Sequence, residues 1–420
     1  MSVATRAEDS ATSSFDVTAI RKRFPALSLK HGAREAVFFD GPAGSQVPES
    51  VVDAISNYLR TMNANHGGMF ATSVRSDAML DEAHRAAADF VGADDPDCCY
   101  FGANMTSLTF ALSRALAQTW NRGDEIVVSR LDHDADFTPW VLAARDVGVN
   151  VKMIDIKADC TLNLDDLRSK LSPRTRLVAV GCASNAVGTV NPVAKIAELA
   201  HAVGAKVFLD AVHYAPHRRI DVAAWQCDFL ACSAYKFFGP HVGMIWGRRE
   251  LLESLPAYKV RPAPNELPGK WMTGTQNHEG IAGTLAAIDY LAGLAGQAGS
   301  RREGLDAAFA AIRRYETELA VELQAGLDRL PQFRSWGISD AARFDERVPT
   351  FSISHRTLPS IEVAKRLAAA GLYVWHGNFY ALPLTETLGV EPQGLVRIGL
   401  LHYNTREEVS FLLDVLKTID

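Results

Sequence analysis

FLDAVHYAPHRRIDVAAWQCDFLACSAYKFFGPHVGMIWG, residues 208–247, carries three short apolar runs, and polar residues suited to chemistry stand at their ends. The first run closes on Asp210, with His213 three residues later, and the second is followed by Lys236. A lysine between two buried runs is costly, because desolvation disfavours the charged ammonium. Working outward, the same kind of run recurs: CCYFGA (98–103), EIVVSR (125–130), VKMIDI (151–156), RLVAVGCA (176–183), KVFLDAV (206–212), FLACSA (229–234) and GMIWG (243–247). Stretches with helical period lie between them, such as SLTFALSRALAQTW, FTPWVLAARDVG and NPVAKIAELAHAVG. Nearly continuous apolar strands alternating with helices predict an α/β fold whose mostly parallel, seven-stranded sheet is covered on both faces. Such sheets bind ligands beyond the carboxyl ends of their strands.

The rest of the 420-residue chain is enough for a second unit. RREGLDAAFAAIRRYETELAVELQAGLDRL (301–330) has a long helical period; VPTFSIS, IEVAKRLAAAG, LYVW, GLVRIGLL and EEVSFLLDVLKTI follow. That order predicts a small α+β domain. The boundaries expected are an N-terminal tail and arm (1–35), a large α/β domain (36–290) and a small C-terminal domain (291–420). A net charge of −6 and the lack of lysine or arginine runs argue against nucleic acid as a partner. No stretch approaches the ~20 apolar residues of a membrane span. MSVATRAEDSATSSF has no apolar centre, so it reads as a polar tail rather than a signal peptide, and a cytoplasmic location is expected. Cys98, Cys99, Cys160, Cys182, Cys227 and Cys232 form no CxxC pair, so neither zinc nor a disulfide framework is expected, and buried, inert thiols are.

Around Lys236, several polar residues follow strands of the one sheet: Asp210, His213, Asn185 in ASNAVGTVNP, and His133 in SRLDHDADFTPW. Each alone would serve to close a turn. Together they should converge on one crevice, and a lysine, an acid and an imidazole there suit pyridoxal 5'-phosphate. A desolvated lysine keeps a neutral amine able to form a Schiff base. A carboxylate holds the pyridine nitrogen protonated, so that the ring draws electrons from a carbanion at the substrate Cα. The phosphate needs N–H groups at a helix start, and ANMTS (103–107) leads into such a helix.

These segments resemble the class V aminotransferase family, fold type I, and within it the cysteine-desulfurase-like branch. The likeness runs through FFDGPAGSQVPESV, GDEIVVSRLDHDADFTPW, SNAVGTVNP and the stretch quoted first, then WMTGTQNHEGIAG and GLVRIGLLHYNTREEV. It implies that Lys236 is the Schiff-base lysine, Asp210 the partner of the pyridinium and His133 the stacking ring. Asn185 would lie by the phenolic oxygen, Ser233 would bind phosphate, and Thr275 would reach the neighbouring subunit's phosphate in a homodimer with shared active sites. Arg397 would grip the substrate α-carboxylate, for which its fork is suited.

The chain departs from the family in four places. His213 stands where glutamine is usual and Tyr235 where histidine is. Ala103-Asn104-Met105-Thr106 replaces a glycine-threonine phosphate loop, so Met105 and Thr106 would bind through backbone N–H groups. The loop that carries a catalytic cysteine in desulfurases reads WHGNFYALP, with Tyr380 at that position and Asn378 beside it, and no cysteine follows Cys232. A persulfide route needs a thiolate. The expectation is therefore a β-eliminating C–S lyase acting on a cysteine-like amino acid, with Lys236, His133 and Tyr380 as catalytic groups. Epimerase, aminotransferase and carbon–carbon bond-forming activities share the same carbanion and remain alternatives, and a non-catalytic sensor or scaffold is a more distant one.

Overall fold

The computed structural model describes residues 15–420 apart from Gln297; the predicted tail lies mostly outside these residues. The seven expected strands all form: β1 (Cys99–Gly102), β2 (Glu125–Ser129), β3 (Asn150–Ile154), β4 (Thr175–Gly181), β5 (Lys206–Asp210), β6 (Phe229–Ser233) and β7 (Gly243–Gly247). They lie in the order β1-β7-β6-β5-β4-β2-β3. Only β7 runs antiparallel to its neighbours, β1 and β6.

Period-two alternation shows why the runs are apolar throughout. Val127, Val178, Val180, Leu209 and Leu230 enter the core on one face. Ile126, Val128, Leu177, Phe208 and Phe229 enter the core on the other. A strand buried on both faces has no room for a polar residue until it ends, and the functional residues accordingly begin at the strand ends. Around the sheet pack helices α1 (Glu49–Thr61), α2 (Ala71–Val91), α3 (Met105–Ala117), α4 (Thr138–Val147), α5 (Val193–His201) and α6 (His278–Ala292).

The long helix α7 (Arg301–Leu327) leads to a second, four-stranded antiparallel sheet. Its strands are β8 (Phe333–Trp336), β9 (Thr350–His355), β10 (Trp375–Gly377) and β11 (Leu395–Gly399), in the order β8-β9-β11-β10. Helices α8 (Ser360–Ala369) and α9 (Arg406–Lys417) complete this unit. Strand β8 was not expected: it is an edge strand with one buried residue, Phe333, so FRSW lacks an apolar pattern. The run LYVW also divides. Leu372–Tyr373 leaves the small sheet to pair in parallel with Val37–Phe38, and Trp375 begins β10.

That pairing positions the site. Asp40 bridges to Gly399 at the end of β11, and the Gly399 N–H donates to the Phe39 carbonyl at 2.8 Å. A Cβ at Gly399 would lie 1.9 Å from Pro42 Cδ, so only glycine admits this approach. The segment from Val37 to Pro42 thus ties β11 and its Arg397 to the mouth of the large sheet.

Candidate active site

Beyond Ser233 the chain makes one tight turn, Ala234–Lys236, and places Lys236 where β5, β6 and the Pro42 loop meet. The Ala234 N–H donates to Val242 O at 2.8 Å and the Gly239 N–H to Ala234 O at 2.9 Å, which fixes the turn. Ser45 clasps it from outside, donating through Oγ to Tyr235 O at 3.1 Å and accepting from the Phe238 N–H at 2.7 Å. Lys236 Nζ donates to the Pro42 carbonyl and lies 4.9 Å from the centre of the Tyr235 ring.

Two adjoining cavities share Lys236. The inner one, about 70 Å³, brings together Asp210, His133, Asn185, His213, Ser233, Tyr235, Met105 and Thr106. The outer one, about 730 Å³, adds Arg397, Asn378 and Tyr380. Twelve of the thirteen residues singled out from the sequence therefore border one connected space. Thr275 does not: it lies exposed in the loop before α6.

The inner cavity has the polar inventory that a phosphorylated pyridine aldehyde would need. Asn185 Oδ1 and His213 Nδ1 are buried and unpartnered, while His213 Nε2 is held by Thr350 Oγ1 at 2.9 Å. At the start of α3, Asn104 Oδ1 accepts from the Ser107 N–H at 2.9 Å and Ser233 Oγ accepts from the Met105 N–H at 3.1 Å. Gly243 makes room for that turn, since a Cβ there would lie 2.3 Å from the Asn104 carbonyl carbon. His133 Nδ1 accepts from the Ala135 N–H at 3.0 Å, which fixes its ring over the cavity.

Burial sets the charges. It is the main cause that lowers Lys236 to about 7; Arg397 adds repulsion, and Asp210 and Asp40 partly offset both. Burial pushes Asp210 up to about 7, assisted by the negative charge of Asp132. It lowers His133 to about 4, with Lys236 and Arg397 adding to the effect. His213 is driven well down by burial and by His217 beside it. At neutral pH both imidazoles are uncharged faces rather than cations, as stacking or hydrogen bonding to a neutral ring requires.

Several site residues were missed in the sequence. Asp40 ends the run VFFD just as Asp210 ends VFLD, so the signal was present but was not used. Its Oδ1 is buried without a partner, and burial raises it to about 6. Asp132 accepts from Ser129 Oγ at 2.6 Å and from the Gly181 N–H at 2.8 Å, and Gly181 pairs with Asp210 across β4 and β5. Asp136 lies behind them on Trp140 Nε1 at 2.9 Å, pushed well up by burial and by both neighbouring acids. Burial favours its uncharged form, and it is invisible to pattern because its neighbours Asp132, Asp210 and Trp140 come from three separate elements.

The loop after β10 closes the outer cavity. Phe379 and Tyr380 both adopt φ of +57°, a left-handed pair that only tertiary bonds would hold. Asn185 Nδ2 donates to Phe379 O at 2.8 Å, and the Asp134 N–H donates to Tyr380 O at 2.6 Å. The Phe379 ring then lies 4.4 Å from the Arg397 guanidinium carbon, and the Tyr380 ring stacks on His133 with centroids 5.5 Å apart.

A seven-stranded sheet of this order, with a lysine, a carboxylate and an imidazole at the ends of its strands and a smaller α+β unit beside it, defines a fold type I enzyme of the pyridoxal-phosphate-dependent class. The class-V aminotransferase pattern matches residues 37–412, and the chain belongs to that family. It is 30% identical to a probable cysteine desulfurase of Synechocystis sp., over 95% of this chain and 94% of that protein. Among solved structures, the apo cysteine desulfurase of Thermococcus onnurineus superimposes with a TM-score of 0.86 at 26% identity, covering 95% of this chain and 97% of that one. The Escherichia coli cysteine desulfurase CsdA gives a TM-score of 0.83 at 26% identity, covering 96% and 98%.

Proposed function

We propose that the protein binds pyridoxal 5'-phosphate on Lys236 and eliminates a sulfur leaving group from Cβ of a cysteine-like amino acid, with no persulfide on the enzyme. The observation that carries the last clause concerns the cysteines. All six are buried, the last is Cys232, and the loop facing the substrate offers Asn378, Phe379 and Tyr380. Burial raises every one of these thiols, Cys98 to about 12 and Cys160 to about 11, so none is a nucleophilic thiolate at neutral pH. Transamination and epimerisation remain chemically open to the same residues, but relatives that bear the name cysteine desulfurase favour scission at sulfur.

When bound, the cofactor supplies the electron sink. Asp210 would hold the proton on its ring nitrogen, His133 would lie against the ring, and Asn185 and His213 would meet its phenolic oxygen. Ser233, Tyr235, Met105 and Thr106 would line the phosphate side. Arg397 would hold the α-carboxylate with Asn378 nearby. Lys236 Nζ would take the Cα proton, the Cα–H electron pair would form the Cα–Cβ double bond, and sulfur would leave with the Cβ–S pair. Tyr380 Oη would give the departing sulfur a proton. Hydrolysis then yields pyruvate and ammonia beside the thiol.

Incubation with cysteine should release pyruvate and sulfide in equal amounts, and alkylation followed by mass spectrometry should find no persulfide. A persulfide on any of the six cysteines, formed at the catalytic rate, would overturn this route. Tyr380→Phe is expected to slow elimination on the order of 10²-fold; unchanged turnover would leave Tyr380 as packing alone.

We also infer a homodimer with shared sites. Exposed apolar residues Leu59, Met69, Phe70 and Val74 lie on α1, α2 and the loop between them, next to α6. The exposed Thr275 loop precedes α6, and His278 at the helix start bonds Tyr58 Oη through Nδ1 at 3.0 Å. A patch of this kind beside that loop suits a self-complementary contact. Mixing the inactive Lys236→Ala and Thr275→Ala proteins should restore partial activity through hybrid dimers; an active monomer in sedimentation would refute the sharing. Six unpaired cysteines suit a reducing compartment, which supports a cytoplasmic location, and among the described residues no helix is long and apolar enough to cross a membrane. The two sheets support the division at about residue 290.

A further inference from the structure

The outer cavity is shared between the cofactor side, at Thr106, His133, Asn185, Tyr235 and Lys236, and further residues that cysteine does not call for. Arg397, Lys236 and Asn185 line part of it, and the same space of about 730 Å³ is bordered by Phe110, Trp375, Tyr380 and Glu391, with Trp375 directly opposite Arg397 across β10 and β11. Beyond the Cα, cysteine offers one methylene and one sulfur. Cavities of roughly 300–1,000 Å³ accommodate ligands of drug size, several times a cysteine side chain.

The far wall has a definite chemistry. Glu391 Oε1 accepts a hydrogen bond from the buried Thr385 Oγ1 at 2.5 Å, which holds the carboxylate in place. Among the described residues Glu391 takes part in no ion pair, and Arg397, the arginine of this cavity, is held by the Asn185 carbonyl. Trp375 lies 52% exposed and Tyr380 71% exposed along the same wall, an unusual outlay of aromatic surface unless something covers it. A carboxylate without a cation, flanked by open aromatic faces, is suited to a positively charged guest, since both attract it.

We propose that the amino-acid substrate carries a cationic group beyond its sulfur, docked on Glu391 and against Trp375 and Phe110. This rests on the lyase reading for its bond-breaking step and extends it to the leaving group: the thiol released is itself a cation. The distal charge would set which cysteine conjugate is cleaved, and cysteine would be a poor substrate.

The test uses S-(ω-aminoalkyl)cysteines with two to four methylenes, each paired with its neutral S-alkyl counterpart of equal length. Binding is measured by calorimetry on cofactor-loaded Lys236→Ala, and pyruvate release on the wild type. At one chain length or more, the ammonium compound should bind and react about tenfold better than its neutral counterpart, or more, as a charge-assisted hydrogen bond allows. Glu391→Gln, which can retain the Thr385 contact, should bring that ratio near one. Trp375→Leu should reduce it several-fold.

Equal handling of both series by the wild type at every length would overturn the proposal, as would a preference that survives Glu391→Gln. Selective binding without pyruvate from any compound would support the cationic subsite and refute the lyase assignment. Pyruvate from all compounds alike would keep the lyase and refute the subsite.

Discussion

Lys236→Ala is expected to reduce turnover by about 10⁴-fold, the upper range for removing a positioned acid–base group, and to abolish the visible absorption band of a lysine-bound cofactor. The lysine is buried beyond the end of β6, and among the described residues its amine bonds the Pro42 carbonyl and pairs with no carboxylate. Burial and Arg397 bring it down to about 7. The neutral amine that must attack an aldehyde is therefore abundant at pH 7.5, where a solvated lysine near 10.4 would be almost wholly charged. Reconstitution of the cofactor-free protein should accelerate with pH through a midpoint near 7 in the wild type. Between 7 and the unfolded value the unfolded chain binds more protons than the folded one. The cofactor-free protein should therefore gain stability as pH rises across that window. A variant that kept the covalent band, or a loading midpoint near 10, would remove Lys236 from its role.

The fold was legible because most strands of the large sheet are buried on both faces, the edge strand β3, with only Ile154 buried, being the exception. Seven apolar runs with helices between them admit few arrangements, and the lysine, acid and imidazole fall where the runs end. Where burial is one-sided or slight, pattern fails, as at β8 with its single buried Phe333 and in LYVW, which serves two sheets. Site residues were legible at strand ends and illegible where they depend on a contact across the chain. Asp136 owes its character to burial and then to Asp132 and Asp210, and Glu391 acquires meaning only because α3 and β10 enclose the same space. Thr275 was placed by resemblance alone, and it borders neither of the two cavities at Lys236.

Arg397→Lys should weaken kcat/KM for every amino acid by roughly 30- to 1,000-fold, about 2–4 kcal/mol, while leaving the cofactor band intact. The guanidinium is fully enclosed, with one Nη donating to the Asn185 carbonyl at 2.9 Å and the Phe379 ring over its face. Its Nε is buried without an acceptor, and no carboxylate pairs with it among the described residues. Burial lowers it to about 9, with the nearby Asp40 carboxylate partly opposing this, so at neutral pH it remains a cation with no bonded counter-charge. A substrate carboxylate would meet that need with two parallel hydrogen bonds, whereas an ammonium at this position would keep the charge but lose the fork. The loss should appear mainly in KM, because the contact exists before any bond breaks. A second consequence has the opposite sign. Arg397→Met removes a buried, unpaired charge and fills its volume with apolar atoms, so the free protein should melt at a higher temperature even as substrate binding collapses. An arginine that merely packed the sheet would give unchanged kinetics in the lysine variant and a lower melting temperature in the methionine variant.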